Sequence, residues 1–122
     1  MDTNASSHTC SSIQDLANER RLRPNEVTLK LGNRASVAAK AIGSTSIDFF
    51  DHVLLLYDVS YVPNTFKNII SISSLTSRGY EFLFGRDECK IYFGNKLIGM
   101  GYLIHGLYYI DNISNNKELD LM

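Results

Sequence analysis

The chain begins with one acid followed by short polar side chains, in the run Asp2-Thr3-Asn4-Ala5-Ser6-Ser7-His8. Side chains this short and polar cannot supply a hydrophobic core, and they readily hydrogen-bond to neighbouring backbone amides. The run therefore predicts a polar loop. Because loops of this kind carry binding and catalytic groups, Asp2 is the first candidate for chemistry.

Histidine and cysteine offer two other chemistries, namely metal binding and thiol catalysis. His8 and Cys10 lie two residues apart, whereas His52, Cys89 and His105 are scattered. Zinc sites usually show two pairs of closely spaced ligands, and this sequence has only one such half-pair. A thiol nucleophile needs an activated thiolate, and nothing in the sequence marks one. We therefore expect structural roles for these residues, with no metal and no cofactor.

Composition indicates an ordinary globular domain. The 122 residues are 44% hydrophobic and 20% charged, which is enough apolar material for one modest core. A net charge of −1 gives no general attraction to nucleic acid, and the short basic run at residues 20–23 is expected to be a solvated face. The tyrosines and phenylalanines have few cations beside them, so core packing accounts for them better than base stacking.

The expected location is the cytoplasm. The two cysteines, Cys10 and Cys89, follow no secreted disulfide spacing, so free thiols in a reducing compartment are the default. No apolar run has the length of a membrane span, and the N-terminus lacks a signal pattern. We expect a soluble protein with no membrane partner.

The first half of the chain combines one helix signal with several strand signals. Residues 12–20 begin with a capping-box pattern and predict a short helix. Residues 27–31 and 35–42 alternate in polarity around Gly32-Asn33-Arg34, which predicts a hairpin. The continuous apolar run at residues 52–57 predicts a central strand buried on both faces.

The second half is denser in strands. Ile69 and Ile70 are typical of a strand stub, and residues 72–78 then predict a short helix that ends before Gly79. Closely spaced strands follow at residues 80–84, 88–93, 96–98, 101–105 and 107–110, separated by glycine and asparagine turns. We predict an all-β barrel or sandwich domain over residues 1–112 and a polar tail over 113–122, which frays at residues 114–118.

The opening run resembles the Asp-Ser/Thr-Gly-Ala-Ser/Thr-x-His loop of the protease region in copia-type retrotransposon Gag-Pol polyproteins. Asp58-Val59-Ser60-Tyr61-Val62-Pro63 resembles the Asp-Val-Leu-Tyr-Val-Pro stretch of that family, and Asn68-Ile69-Ile70-Ser71-Ile72 resembles its Asn-Leu-Ile-Ser-Val stretch. Three later elements are similar too: Lys90-Ile91-Tyr92, Gly99-Met100-Gly101 and Gly106-Leu107-Tyr108-Tyr109-Ile110-Asp111. The resemblance covers almost the whole chain, in the family's order.

This resemblance implies a closed barrel like that of retroviral aspartic proteases and an aspartic endopeptidase that processes a polyprotein. The catalytic loop would be Asp2, Thr3 and Asn4. The substrate-binding parts would be a flap at Gly32, Asn33 and Arg34 and a segment beside the loop at Ile69, Ile70 and Ser71. Because the chain has only one such loop, catalysis would need a homodimer with one Asp2 from each copy.

Two departures from the family predict a degenerate site. The family has glycine where this chain has Asn4, and an added side chain there is expected to crowd the catalytic water or the substrate. The family's loop also follows a buried strand, whereas here Asp2 directly follows Met1, which suggests a fragment or a truncated copy. The alternative interpretation is a non-enzymatic β-barrel that acts as an interaction or scaffold module.

Overall fold

The computed structural model describes residues 7–30, 36–49, 52–63, 68–112 and 117–122, and they form an all-β fold as predicted. The elements in chain order are β1 (Thr9–Cys10), a 3-10 helix (Ile13–Asp15), β2 (Ala17–Arg21), β3 (Thr28–Lys30), β4 (Ser36–Ala38), β5 (Ala41–Asp48), β6 (Val53–Tyr61), β7 (Ile69–Ile70), α1 (Ile72–Ser77), β8 (Tyr80–Phe84), β9 (Glu88–Phe93), β10 (Lys96–Ile104), β11 (Leu107–Asn112) and β12 (Lys117–Leu121).

Ten of the described strands form one sheet in the order β2-β5-β6-β1-β7-β12-β11-β10-β9-β8, and β3 pairs with β4 separately. Most neighbours are antiparallel, but β1 is parallel to β6 and β12 is parallel to β7. The short strands β1 and β7 therefore connect the antiparallel strands β2, β5 and β6 of the first half to strands β8–β12 of the second half.

A single core lies inside this curved sheet. Ile47 and Leu54 come from the first half and Ile91 and Ile98 from the second, and all four belong to one buried cluster. Gly99 shows how closely the halves approach, because a Cβ atom there would lie 2.6 Å from the ring of Phe49. The sheet must curl for residues so distant in its strand order to pack together.

The prediction that the strand at residues 52–57 is buried on both faces is wrong. In β6, Leu54 and Leu56 are buried, whereas Val53, Leu55 and Tyr57 are 54%, 46% and 51% exposed. The strand has the period-two burial of a sheet with one covered face, because no second layer of the described chain packs on its outer side.

The prediction of a helix at residues 12–20 is also wrong beyond the first turn. The 3-10 helix ends at Asp15, and the Ser12 side chain makes no capping hydrogen bond. The next residues form β2, which pairs with β5. Gly43 permits this close approach, since a Cβ atom there would lie 2.8 Å from the Ala17 carbonyl oxygen. Pairing with an available sheet edge overrides the local helix signal.

The other helix prediction is confirmed. Helix α1 covers Ile72–Ser77, and the Ser71 hydroxyl accepts a hydrogen bond from the Ser74 N–H at 3.2 Å. Leu75 anchors the helix in the core with no exposed surface. Beyond the helix, Gly79 has a φ of 99°, which is typical of a glycine that ends a helix.

The predicted hairpins are confirmed over their described strands. Strands β3 and β4 pair in register, with Leu29 opposite Val37, although the turn between them lies outside the described residues. Strands β8 and β9 have the predicted bounds. The two strands predicted at residues 96–98 and 101–105 are one strand, β10, with an irregularity between Leu97 and Gly99.

The C-terminal residues differ from the predicted polar tail. Residues 117–121 form β12, which lies between β11 and β7. Leu121 is buried in the core and Leu119 packs against it. Two leucines at a spacing of two are enough to bury one face of a short strand, although the surrounding polar residues conceal this pattern in the sequence.

No helix among the described residues is long and apolar enough to cross a membrane.

Substitution of two adjacent leucines tests the alternation of β6. Leu54→Ala should lower the free energy of unfolding by about 2–5 kcal/mol, because the side chain is fully buried and leaves a cavity. Leu55→Ala should cost less than about 1 kcal/mol, since Leu55 is 46% exposed. Urea unfolding, monitored by circular dichroism, measures both free energies of unfolding. Equal losses would contradict the one-faced burial of β6.

Candidate functional site

Strand β1, which directly follows the predicted catalytic loop, is held in the middle of the main sheet. Thr9 lies opposite Ser60 in parallel β6 and opposite Ile69 in antiparallel β7. On the β6 side, the Ser60 N–H donates to the His8 carbonyl at 2.9 Å, and the Val62 N–H donates to the Cys10 carbonyl at 2.9 Å. Any loop that precedes Ser7 is therefore attached to a fixed, buried strand.

The His8 side chain forms the second connection. Its Nδ1 atom accepts a hydrogen bond from the Ser71 N–H at 2.9 Å, and the residue is only 2% exposed. Since Nδ1 is an acceptor, the neutral ring carries its proton on Nε2. This bond joins the residue that precedes β1 to the residue that caps helix α1.

Burial also determines the charge of His8. Desolvation, and then the positive charge of Arg78, lower the pKa of His8 from 6.5 to about 4, while the negative charge of Asp58 acts in the opposite direction. His8 is therefore neutral at pH 7, which suits the acceptor role of its Nδ1 atom.

A third connection, which the sequence did not assign, comes from Asn68. Its side-chain oxygen accepts hydrogen bonds from the Ser11 N–H at 3.1 Å and from the Ser11 hydroxyl at 3.3 Å. Its backbone carbonyl accepts from the Asp120 N–H at 2.8 Å. Asn68 thus ties β1 to β12. The position of Asn68 just before the Ile69-Ile70 pair could have marked it as a residue near the site. Nothing in the sequence indicates that Ser11 and Asp120 are its partners.

The predicted site residues fall into two groups. Ile69, Ile70 and Ser71 lie directly beside residues 8–10, and they are 7%, 1% and 0% exposed. Buried to this extent, their side chains support β1 from within the core and do not face solvent. The remaining predicted site residues lie outside the described residues: Asp2, Thr3, Asn4, Gly32, Asn33 and Arg34.

A polar cleft of about 300 Å³ opens between β6 and helix α1, next to the first described residues. We call it the Arg78 cleft, and its lining residues are Ser7, His8, Tyr57, Asp58, Ser74, Ser77 and Arg78. The sequence does not predict this cleft, because the pattern around Arg78 indicates only the end of a helix.

The arginine of this cleft is held from two sides. Its Nη1 atom donates to the Leu55 carbonyl at 2.7 Å. Its guanidinium carbon lies 4.7 Å from the centre of the Tyr57 ring and 5.8 Å from that of the Tyr80 ring. These are cation–π distances, so the guanidinium is oriented by the protein.

The other cavity near β1 is much smaller. It has a volume of about 30 Å³ and is lined largely by core residues, among them Cys10, Ile47 and Ile70. This is room for about one or two water molecules. The described residues include no group of three or more His, Cys, Asp or Glu side chains that could hold a metal ion.

The fold and the position of β1 define a β-barrel type of domain in which residues 8–10 are held at the centre of the sheet. Residues 1–80 match the family described as the Pol polyprotein, beta-barrel domain. The chain belongs to this family, and it is therefore a region of a retroelement Pol polyprotein. Neither the curated proteins nor the solved structures contain a match to it.

The buried histidine predicts a pH-dependent stability. Between pH 6.5 and about 4 the unfolded chain binds a proton at His8 that the folded chain does not bind, so the free energy of unfolding falls as the pH falls through this window. The loss should reach up to about 3 kcal/mol near pH 4. Urea unfolding at a series of pH values from 7 to 4 measures it.

Two variants serve as controls for this prediction. His8→Asn keeps an acceptor for the Ser71 N–H but cannot titrate, so it should flatten the pH profile in this window. His105→Asn replaces an exposed histidine in the turn between β10 and β11 and should keep the fall in stability, because it leaves His8 and its bond to Ser71 in place. A wild-type profile parallel to that of His8→Asn would contradict the prediction.

Proposed function

We propose that this chain is a copia-type aspartic-endopeptidase-like domain whose ancestral role is proteolytic processing of the Pol polyprotein, and that Asn4 keeps the present sequence inactive. Family membership supports the polyprotein context. The aspartic mechanism is supported by the resemblance of residues 2–8 to the protease loop. Cys10 and Cys89 are buried and form no disulfide, which suits a cytoplasmic protein.

The observation that carries the proposal is the contact between the end of the loop and the Ile69-Ile70-Ser71 segment. Thr9 pairs with Ile69, and the Ser71 N–H donates to His8 Nδ1 at 2.9 Å. In retroviral aspartic proteases, whose fold is similar to that of the resembled family, the counterpart of this apolar segment lies beside the active loop. Here Ile69-Ile70-Ser71 lies beside residues 8 and 9, where the opening run ends.

The chemistry requires two carboxylates that share one proton. One accepts a proton from the attacking water while the other donates to the scissile carbonyl, and two carboxylates this close cannot both be ionised. None of the other acids in the sequence is followed by Ser/Thr-Gly, so each chain supplies one carboxylate, Asp2. A catalytic centre therefore needs two copies related by a two-fold axis.

Asn4 is the residue at which the opening run differs from the protease loop that it resembles. Asparagine tolerates a left-handed backbone better than most residues, so the loop can keep its course. In the proposed dimer its side chain would nevertheless occupy space that glycine leaves open near the two carboxylates. We expect the unmodified chain to show no proteolysis for this reason.

Repair of this position tests the function. Asn4→Gly should produce proteolysis of a peptide library that is inhibited by pepstatin and fastest at acidic pH, because the two Asp2 carboxylates can then share a proton. The variant should be made in the 122-residue chain and also with an apolar strand fused ahead of Met1, since the family's loop follows such a strand. Mass spectrometry of the cleaved peptides gives the readout, and sedimentation velocity gives the oligomeric state.

The matched control is Asp2→Asn in the repaired chain. An amide can neither accept the water proton nor hold the shared one, so activity should disappear. Activity that survives Asp2→Asn would reject the aspartic mechanism. A folded dimer of the repaired chain without activity would reject the protease assignment in favour of a non-enzymatic interaction module.

A further inference from the structure

We propose that the Arg78 cleft binds the carboxylate of an acidic side chain in an extended peptide. The proposal is independent of catalysis, because it concerns the cleft between β6 and α1 and requires neither Asp2 nor a second copy.

The first argument is the state of Arg78. Its guanidinium has five N–H donors, of which the bond from Nη1 to the Leu55 carbonyl uses one. Arg78 takes no part in the ion pairs of Arg20 with Glu26, Arg21 with Glu19 and Arg23 with Glu26. Arg78 thus keeps donors and a charge for a partner that the described chain does not supply.

The second argument is orientation. An exposed arginine normally loses much side-chain freedom when it binds a carboxylate, and this loss weakens binding. Arg78 is already held by the Leu55 carbonyl and by the rings of Tyr57 and Tyr80. Its planar fork is therefore fixed before a ligand arrives, which favours bidentate recognition of a carboxylate.

The charges of the cleft favour an anion with one negative charge. His8 is neutral at pH 7, so Arg78 is the one cation among the lining residues, and Asp58 faces the same space. A peptide phosphate carries close to two negative charges, which strengthens its attraction to Arg78 and its repulsion by Asp58 alike. Its second charge would have to be desolvated without a second cation to pair with it, so the cleft fits the carboxylate better.

The acceptors in the cleft favour a peptide over a free anion. The Ser77 hydroxyl donates its proton to the Ser74 carbonyl at 2.8 Å, so its oxygen is left as an acceptor. Asp58 is an acceptor as well. A bare carboxylate has no N–H to offer these groups, whereas a peptide supplies a backbone N–H beside each acidic side chain.

Shape and surroundings agree with a short acidic segment flanked by apolar residues. A volume of about 300 Å³ accommodates one glutamate side chain with its backbone, at the small end of ligand pockets. The outer face of β6 continues from the cleft with Val53, Leu55 and Tyr57, which are about half exposed. Apolar side chains next to the glutamate can cover this strip.

The test uses the full-length chain labelled with ¹⁵N and the blocked peptide acetyl-Leu-Glu-Leu-amide. Titration should shift the Arg78 Nε–H signal and the amide signals of Tyr57 and Ser77. The isosteric peptide acetyl-Leu-Gln-Leu-amide should bind at least about tenfold more weakly, because the charge-assisted pair is lost. Equal affinity for the two peptides would overturn the proposal.

Substitutions of the two charged residues should change the affinity for the glutamate peptide in opposite directions. Arg78→Gln should weaken binding of the glutamate peptide by at least about tenfold, whereas Arg86→Gln, at an exposed arginine in the turn between β8 and β9, should leave it unchanged. Asp58→Asn should tighten binding a few-fold, since it removes a repulsive charge. Asparagine also tolerates the positive φ of 55° at that position, so this variant tests the cleft even where Arg78→Gln does not fold.

The last part of the test measures the binding of inorganic phosphate and of a phosphoserine peptide. Weaker binding of both than of the glutamate peptide supports the assignment. Tighter binding of either one, or an Asp58→Asn variant that binds the glutamate peptide more weakly than wild type, would overturn it.

Discussion

The insertion of β1 between β6 and β7 is the interaction on which the rest of this structure depends. Thr9 pairs with β6 on one side and β7 on the other, Cys10 pairs with β6, and His8 adds a side-chain bond to the backbone of Ser71. Without this short strand the sheet would separate into two meanders, because no other described strand bridges β6 and β7. The bond requires a neutral imidazole, so burial and hydrogen bonding at His8 reinforce each other.

The same arrangement explains why chemistry is expected at the N-terminal end. A loop can hold reactive groups in fixed positions only when the elements at its base are rigid. Here the base is a strand with backbone bonds on both edges and an asparagine, Asn68, that satisfies Ser11 from the side. The resemblance of residues 2–8 to a protease loop and the geometry around β1 thus direct attention to the same end of the barrel.

Sequence reasoning predicted the elements whose signals are local. The bounds of β8 and β9, the Ser71-capped helix and the β3–β4 hairpin follow from spacing, turn residues and capping, which act over a few residues. The failures depend on distant partners. Residues 17–21 became a strand because Gly43 leaves room beside β5, and residues 117–121 became a strand because β7 and β11 offer free edges.

The sequence predicts some of the residues near the candidate site but not the Arg78 cleft. Ile69, Ile70 and Ser71 were identified through their resemblance to a family segment, and they do lie beside the loop end, but their burial could not be deduced from residue types alone. The Arg78 cleft was not predicted, because it is formed by Ser7 and His8, Tyr57 and Asp58, and the end of α1, which are distant in sequence. A cleft of this kind exists only once the sheet has curled.

The position of β12 has a consequence for how the protein is made. Strand β7 receives its second partner from residues 120–122, where Leu121 pairs with Ile70 and the Met122 N–H donates to the Ile70 carbonyl at 3.0 Å. On a translating ribosome, Ile69 and Ile70 therefore stay unpaired on that edge until residues 120–122 emerge. Residues 1–80, which match the family, do not include this partner strand, so the match covers only part of the pairing at the centre of the sheet.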